Sequence, residues 1–189
     1  MQDSKKRVIF NVADERIVKV VKDTVVEHYG VRAYKTLFDG KVLLSTIAKR
    51  RELFLISKEQ YEIYERLKSK GRDPYFIGIF VGMVRVEERI RYRPSLDLFE
   101  KLFKVSRRNA VIVTEKSMEN VLYGKDVLLE GIIDTINPIG KYPLVISTRM
   151  EPIALGITLR DPKRWKGLEP KTVVIKTIMD KGRYLRSGI

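Results

Sequence analysis

The last third of the chain is a series of short segments rich in Ile, Val and Thr that Gly and Pro residues separate. These segments are 132–136, 144–148, 153–158 and 172–179. Runs of this length and composition are typical of β-strands. Four of them within residues 123–189 predict a compact β-barrel rather than a parallel sheet.

The preceding part of the chain alternates helical and strand patterns. Asp14 is placed to cap an amphipathic helix that Gly30 would stop, and residues 41–47 and 52–56 predict a hairpin. The remaining predicted elements are a helix from Ser57, a strand over 75–86 with alternation continuing to 92, a helix after Pro94, a strand over 109–114 and a helical turn over 116–122. The predicted fold class is α+β, with an N-terminal α/β domain over 1–121, built on a mainly antiparallel sheet plus helices, and a β-barrel over 122–189.

Two glycines interrupt the apolar stretch that ends at Val84. The spacing of Gly78 and Gly82 superficially matches a motif of membrane helix dimers, but the run is about half the length of a membrane span. We therefore interpret the glycines as a bend or bulge in a curved sheet, and we expect no membrane insertion.

The charge of the chain indicates a polyanionic partner. Lys and Arg number 38 against 24 Asp and Glu, which gives a net charge of +14. A lysine-rich surface of a heat-adapted protein is the alternative, but such surfaces usually raise Glu together with Lys. Residues 160–189 carry nine basic and three acidic side chains. This local excess predicts salt-dependent RNA binding that is largely independent of sequence.

Several classes of site are excluded or disfavoured by composition. The chain has no cysteine, which excludes disulfides and thiolate zinc sites and fits a reducing cytoplasmic compartment. The sole histidine, His28, has no second His or Cys as metal or triad partner, and we expect it near the end of the first helix, explained by helix-end electrostatics or by exposure. No phosphate-binding glycine loop is present. We predict no metal, no cofactor and no secretion signal.

The C-terminal segment resembles a PUA domain, an RNA-binding module named after pseudouridine synthases and archaeosine transglycosylases. Three stretches carry the resemblance, namely 123–132 (YGKDVLLEGI), 151–157 (EPIALGI) and 180–186 (DKGRYLR). With the upstream stretches 53–58, 77–84 and 117–128, the order of motifs is similar to that of the Nip-seven family of large-subunit ribosome-biogenesis factors, over roughly residues 41–186.

That resemblance implies a non-catalytic protein that associates with precursor ribosomal RNA. It also implies uridine-rich single-stranded RNA as ligand, and pre-ribosomal assembly proteins or the exosome as further partners. We expect an archaeal-type member that is a cytoplasmic monomer, or nucleolar in a eukaryote.

The predicted RNA-binding residues lie in one basic loop. By resemblance they are Arg160, Lys163, Arg164 and Lys166. Trp165 lies among them, and two interpretations stay open: it stacks on bases, or it anchors the loop on the barrel. We interpret Tyr184 as a buried residue that closes the barrel, and Lys171, Lys176 and Lys181 as either contacts or solvated side chains.

Three alternatives to this site are also open. Asp97 superficially resembles the catalytic context of a pseudouridine synthase or transglycosylase, but an acidic residue also suits the first turn of a helix. A protein scaffold whose basicity serves solubility is the second alternative. The third is a second contact surface formed by three basic clusters of the N-terminal part, 49–51, 89–93 and 104–108.

Overall fold

The computed structural model describes residues 9–72, 74 and 76–186, and for Tyr184 and Leu185 it describes the backbone alone. The first five strands form one antiparallel sheet in the order β1-β2-β3-β4-β5. They are β1 (Phe10–Val12), β2 (Lys41–Thr46), β3 (Arg50–Ser57), β4 (Ile79–Val86) and β5 (Ile90–Pro94). The α-helices of the described residues are α1 (Glu15–Phe38), α2 (Lys58–Ser69), α3 (Leu96–Ser106), α4 (Glu115–Leu122) and the single turn α5 (Arg183–Arg186).

The second sheet is a curled half-barrel in the C-terminal region. Its strands are β6 (Ala110–Val113), β7 (Val127–Leu128), β8 (Ile132–Ile136), β9 (Leu144–Ile146), β10 (Pro152–Thr158) and β11 (Val173–Asp180). Their order is β7-β11-β10-β9-β6-β8, in which β6 pairs with β9 in parallel and the other pairs are antiparallel. The predicted α+β class, with a barrel-like C-terminal sheet, is confirmed.

Strand β6 joins the second sheet from the part of the chain before residue 122. It pairs with β8 on one side and β9 on the other, so it lies inside that sheet. Helix α4 also contacts β7, β10 and β11. The second sheet therefore includes a strand from residues that the sequence pattern had grouped with the N-terminal domain.

Side-chain caps explain where the long helices begin. Asp14 accepts a hydrogen bond from the backbone N–H of Ile17 at 3.0 Å, Ser57 forms a capping box with Gln60, and Ser95 caps α3. Gly30 breaks α1 as expected, with φ of 85°, but a second helical segment continues to Phe38. The helix capped by Asp14 therefore extends beyond its predicted end as a kinked pair of segments.

Gly82 allows a bulge in β4. Leu53 of β3 pairs with Gly82 and the next residue pairs with Phe80, so Val81 is the extra residue. A Cβ on Gly82 would lie 2.3 Å from the carbonyl oxygen of Arg93, and its φ is 141°. The bulge interpretation of this glycine is confirmed. Among the described residues, the helices include none that is long and apolar enough to cross a membrane.

The main core lies between the two sheets. Helices α1 and α3 supply its centre, and both sheets cover it. Its members include Val25, Phe99 and Leu102 from the helices, Leu53 and Leu55 from β3, and Leu144, Ile146 and Leu155 from the second sheet. Burial of these side chains stabilises the two sheets as one packed unit, at roughly 25 cal/mol per Å² of apolar surface.

His28 lies beside this core, and of the two explanations considered for it, exposure is wrong. The side chain is 2% exposed, although it lies near a helix end as expected, two residues before the break in α1 at Gly30. Its Nδ1–H donates to the carbonyl oxygen of Thr24 at 2.7 Å, and Nε2 accepts from the backbone N–H of Tyr142 at 3.1 Å. This pattern requires the neutral imidazole, and burial lowers the pKa of His28 from its ordinary value of 6.5.

Candidate nucleic-acid interface

The predicted RNA-binding residues lie on and beside a short 3₁₀ helix between β10 and β11, which spans Pro162–Gly167. Asp161 begins it, because its side chain accepts a hydrogen bond from the backbone N–H of Lys163 at 3.0 Å. The fixed φ of Pro162 suits the first helical position. The Asp-Pro pair in the sequence therefore sets the start of this basic turn.

Trp165 anchors the turn. Its side chain is 6% exposed and belongs to a second core cluster, which includes Ile153 and Val174 and against which Leu168 packs. The indole N–H donates to the carbonyl oxygen of Arg160 at 3.0 Å. A buried indole offers no open face to a base, so the prediction of Trp165 as an RNA contact is corrected to the alternative interpretation, that of a loop anchor.

The four predicted cations surround this anchor and are exposed. Arg160, Lys163, Arg164 and Lys166 form no ion pair with any described residue. In a 3₁₀ helix, side chains three residues apart lie on one face, which places Lys163 and Lys166 together. The structure thus brings the four together on a rigid turn, with their charge unneutralised and directed to solvent.

A cleft of about 360 Å³ adjoins the turn. Its lining includes Asp161, Lys163 and Trp165 from the turn, and Thr135 and Asn137 from the segment around the end of β8. The side-chain amide of Asn137 donates to the hydroxyl of Thr135 at 3.2 Å. These groups can donate to and accept from a base edge. The sequence pattern did not indicate Thr135 and Asn137, because they lie about 25 residues from the basic loop.

The other basic residues of the C-terminal region divide by environment. Lys171 and Lys176 are exposed, whereas Lys181, which follows β11, forms a 2.8 Å ion pair with Glu100 and so links the end of β11 to α3. Arg186 donates to the buried carboxylate of Asp180 at 2.9 Å and to the carbonyl oxygen of Leu122. Arg186 therefore holds the C-terminal turn against α4. The prediction for the Tyr184 side chain lies outside the described residues.

A second groove runs between α4 and the segment 125–131. Its volume is about 840 Å³, and its polar lining includes Lys116, Asn120 and Lys125. Lys125 donates to the side-chain oxygen of Asn120 at 3.1 Å. Gly131 also lines the groove, and a Cβ there would lie 2.5 Å from Ser117 Oγ. The lining also holds Asp126 and Glu130, which offset the charge of Lys116 and Lys125, so this groove is less cationic than the 3₁₀ turn.

Asp97 occupies the first turn of α3, two residues after the capping residue Ser95, and is exposed. Of the two interpretations of Asp97, this position agrees with that of an acidic residue in the first turn of a helix. Among the described residues, His, Cys, Asp and Glu side chains form no group of three or more that could hold a metal ion.

Comparison with known proteins concerns the region that carries the basic turn. Residues 109–189 match the family model described as "UPF0113 PUA domain". The matched segment begins immediately before β6 and includes the whole second sheet. The PUA resemblance of the C-terminal region is thus supported, and the narrower Nip-seven assignment stays a prediction. No curated protein matches the chain.

Solved structures with a similar fold include archaeal proteins. A hypothetical protein of Pyrococcus horikoshii OT3 is 17% identical, with a TM-score of 0.64 over 91% of this chain and 94% of the other. A conserved PUA domain protein of Thermoplasma acidophilum is 18% identical, with a TM-score of 0.58 over 94% of this chain and 97% of the other. A PUA domain of Aeropyrum pernix K1, in a tartrate complex, is 10% identical, with a TM-score of 0.55 over 95% and 89%. At these identities the similarity concerns the fold.

Proposed function

We propose that this protein binds single-stranded RNA through the basic turn 160–166 and acts as a non-catalytic factor in large-subunit ribosome assembly. The observation that carries the RNA-binding claim is the cluster of four exposed cations beside the buried Trp165, none of which forms an ion pair within the described part of the chain. The match of residues 109–189 to a PUA domain family supports the same class of ligand.

The electrostatics of the turn suit an RNA backbone. Cations that contact phosphates release condensed counterions, so affinity falls linearly with the logarithm of salt concentration. Arg160 and Arg164 can donate two parallel hydrogen bonds to one phosphate, which Lys cannot do. Because Trp165 fixes the backbone of the turn, little conformational entropy is lost when RNA binds.

The adjoining cleft supplies base contacts. Single-stranded RNA exposes its base edges, which polar side chains can read by hydrogen bonding. The side chains of Asn137 and Thr135 offer both hydrogen-bond donors and acceptors, and they line the same cleft as Lys163. We assign phosphate contacts to the basic turn and any base preference, including that for uridine, to the cleft. Precursor ribosomal RNA is the proposed natural ligand.

The remaining parts of the proposal follow the family resemblance. We assign the protein to the cytoplasm of an archaeal-type host, or to the nucleolus in a eukaryote. There it would be a monomer that associates with pre-ribosomal assembly proteins or the exosome. An enzyme of the pseudouridine synthase or transglycosylase type is the competing function. The exposed position of Asp97 in the first turn of α3 disfavours it, because the favourable interaction of an acidic side chain with the helix dipole is enough to explain an aspartate there.

A quadruple substitution tests the binding claim. Replacement of Arg160, Lys163, Arg164 and Lys166 by Ala should preserve the fold and reduce affinity for uridine-rich single-stranded RNA at least tenfold. The matched control replaces Arg32, Lys35, Arg66 and Lys70, which are equally exposed and include the same residue types, and it should bind as the wild type does. Equal losses in both variants would show that net charge alone acts, and unchanged binding in the first would overturn the proposal.

Incubation with RNA tests the competing function. The proposal predicts that the wild-type protein leaves RNA nucleotides unmodified when they are analysed by mass spectrometry. Modified nucleotides that disappear with Asp97→Asn would establish an enzyme instead.

A further inference from the structure

Three arginines form a row across the first sheet. Arg50 of β3 pairs in register with Arg85 of β4, and Arg85 pairs with Arg91 of β5. Directly opposite residues on neighbouring strands share one face of a sheet. The alternating neighbours Val84 and Tyr92 are buried in the main core, so the arginines occupy the other set of positions.

This row is electrostatically unfavourable in the isolated protein. Like charges directly opposite on adjacent strands destabilise a sheet, and strands lie only about 4.8 Å apart. The carboxylate of Glu87 lies 2.7 Å from Arg85 Nε and 4.0 Å from Arg91 Nη2. Arg50 forms no ion pair with any described residue. One carboxylate therefore serves two of the three guanidinium groups, and that of Arg50 has none among the described residues.

The row lines a concave site that both halves of the chain form. A cleft of about 580 Å³ includes all three arginines together with Arg93 and, from the second half, Lys141. The acidic side chain in its lining is Glu27 of α1, and Glu87 stands beside the row. The cleft is thus strongly cationic, and it is separate from the basic turn 160–166, none of whose residues lines it.

We propose that this cleft binds the phosphate backbone of RNA as a second contact, beyond the segment that the basic turn holds. The inference rests on the proposed RNA-binding function and extends it to longer RNA. Guanidinium groups donate in a planar fork that matches a phosphate, and a row of forks follows a chain of phosphates better than it fits a single carboxylate. Bound phosphates also neutralise the row, which relieves the repulsion between opposed arginines.

RNAs of different length distinguish the contact at the basic turn from the contact at the cleft. A single-stranded RNA of about eight nucleotides has the site size of one small binding module, whereas one of about 40 nucleotides can reach both surfaces. The triple variant Arg50→Gln, Arg85→Gln and Arg91→Gln should bind the short RNA as the wild type does. It should bind the long RNA more weakly, with a slope of log affinity against log salt smaller by about 2, since each lost phosphate contact contributes about 0.7 for single strands.

Two further variants make the result decisive. The control Arg16→Gln, Arg32→Gln and Arg66→Gln removes the same charge outside the cleft and should keep the wild-type slope. The double variant Arg50→Gln and Arg91→Gln changes only exposed side chains, and it should lower the slope by about 1.4 if the triple variant fails to fold.

The outcomes are distinguishable from failure of the proposed function. If the wild type binds neither RNA, both the proposed function and this inference fall. If the wild type binds both RNAs and the cleft variants keep the wild-type slope, this inference alone is wrong. A third outcome would also overturn this inference. If the wild type binds polyglutamate and the cleft variants do not, while their RNA binding is unchanged, the cleft is a site for an acidic protein.

Discussion

Nε2 of His28 accepts a hydrogen bond from the backbone N–H of Tyr142, across 114 residues of sequence. The bond joins α1 to the loop that leads into β9, and the tyrosine hydroxyl donates to the carbonyl oxygen of Tyr92 in β5 at 3.2 Å. Asn109 completes the junction, because its side chain donates to the carbonyl oxygen of Tyr142 and accepts from the backbone N–H of Gly140. One small polar network thus fixes how the two sheets meet beside the main core.

Loss of the imidazole should weaken this junction. His28→Ala would leave the buried backbone N–H of Tyr142 without its acceptor and would open a cavity in contact with Phe99. We expect the free energy of unfolding in urea to fall by about 2–4 kcal/mol. Arg32→Ala on the exposed side of the same helix should change it by less than about 0.5 kcal/mol. Equal effects would show that His28 has no special role.

The same residue should make stability depend on pH. Burial lowers the pKa of His28 in the folded state, whereas the unfolded chain titrates near 6.5. Below pH 6.5 the unfolded state therefore binds a proton that the folded state does not, so the stability present above that pH is lost as pH falls toward the folded pKa. The difference in unfolding free energy between wild type and His28→Gln should shrink from pH 7.5 to pH 5. A constant difference would contradict the neutral, buried imidazole.

Tryptophan fluorescence tests the anchor role of Trp165. It is the only tryptophan in the chain, and its indole is buried and bonded to the carbonyl oxygen of Arg160. Emission should lie at short wavelength, resist quenching by acrylamide and change little when saturating RNA is added. Free N-acetyltryptophanamide provides the accessible reference. Strong quenching by RNA would instead show that a base stacks on the indole.

Close packing of α4 should depend on Gly131. A Cβ at this position would lie 2.5 Å from Ser117 Oγ, whereas a Cβ on Gly167 would contact nothing within 4 Å. Gly131→Ala should therefore destabilise the protein by about 1–3 kcal/mol in chemical unfolding. Gly167→Ala is the matched control and should be near neutral. An equally small change in unfolding free energy at both positions would mean that α4 does not pack closely against Gly131.

Local signals in the sequence predicted most elements of the fold. The capping residue Ser57, the polar turn between β2 and β3, and the four C-terminal runs each produced the expected helix, hairpin or strand. These features succeed because caps, turns and side-chain alternation act within a few residues. Gly82 was interpretable for the same reason, since only a residue without a Cβ fits the bulge there.

Features that depend on distant residues were not predictable from those signals. The burial of His28 requires Tyr142, and the place of β6 in the second sheet requires β8 and β9, which follow it in the sequence. The cleft residues Thr135 and Asn137 reach the basic turn only through the curl of the sheet. The anchor role of Trp165 was one of two open interpretations, because the sequence does not show which way its indole points.

Photocrosslinking to wild-type protein tests the central claim most directly. Uridine-rich RNA that contains 4-thiouridine would be crosslinked to the protein, and the linked peptides would be mapped by mass spectrometry. We expect the crosslinks to concentrate in the basic turn 160–166 and in the adjoining cleft at Thr135 and Asn137. Crosslinks confined to α2, or spread evenly over the exposed lysines, would contradict it.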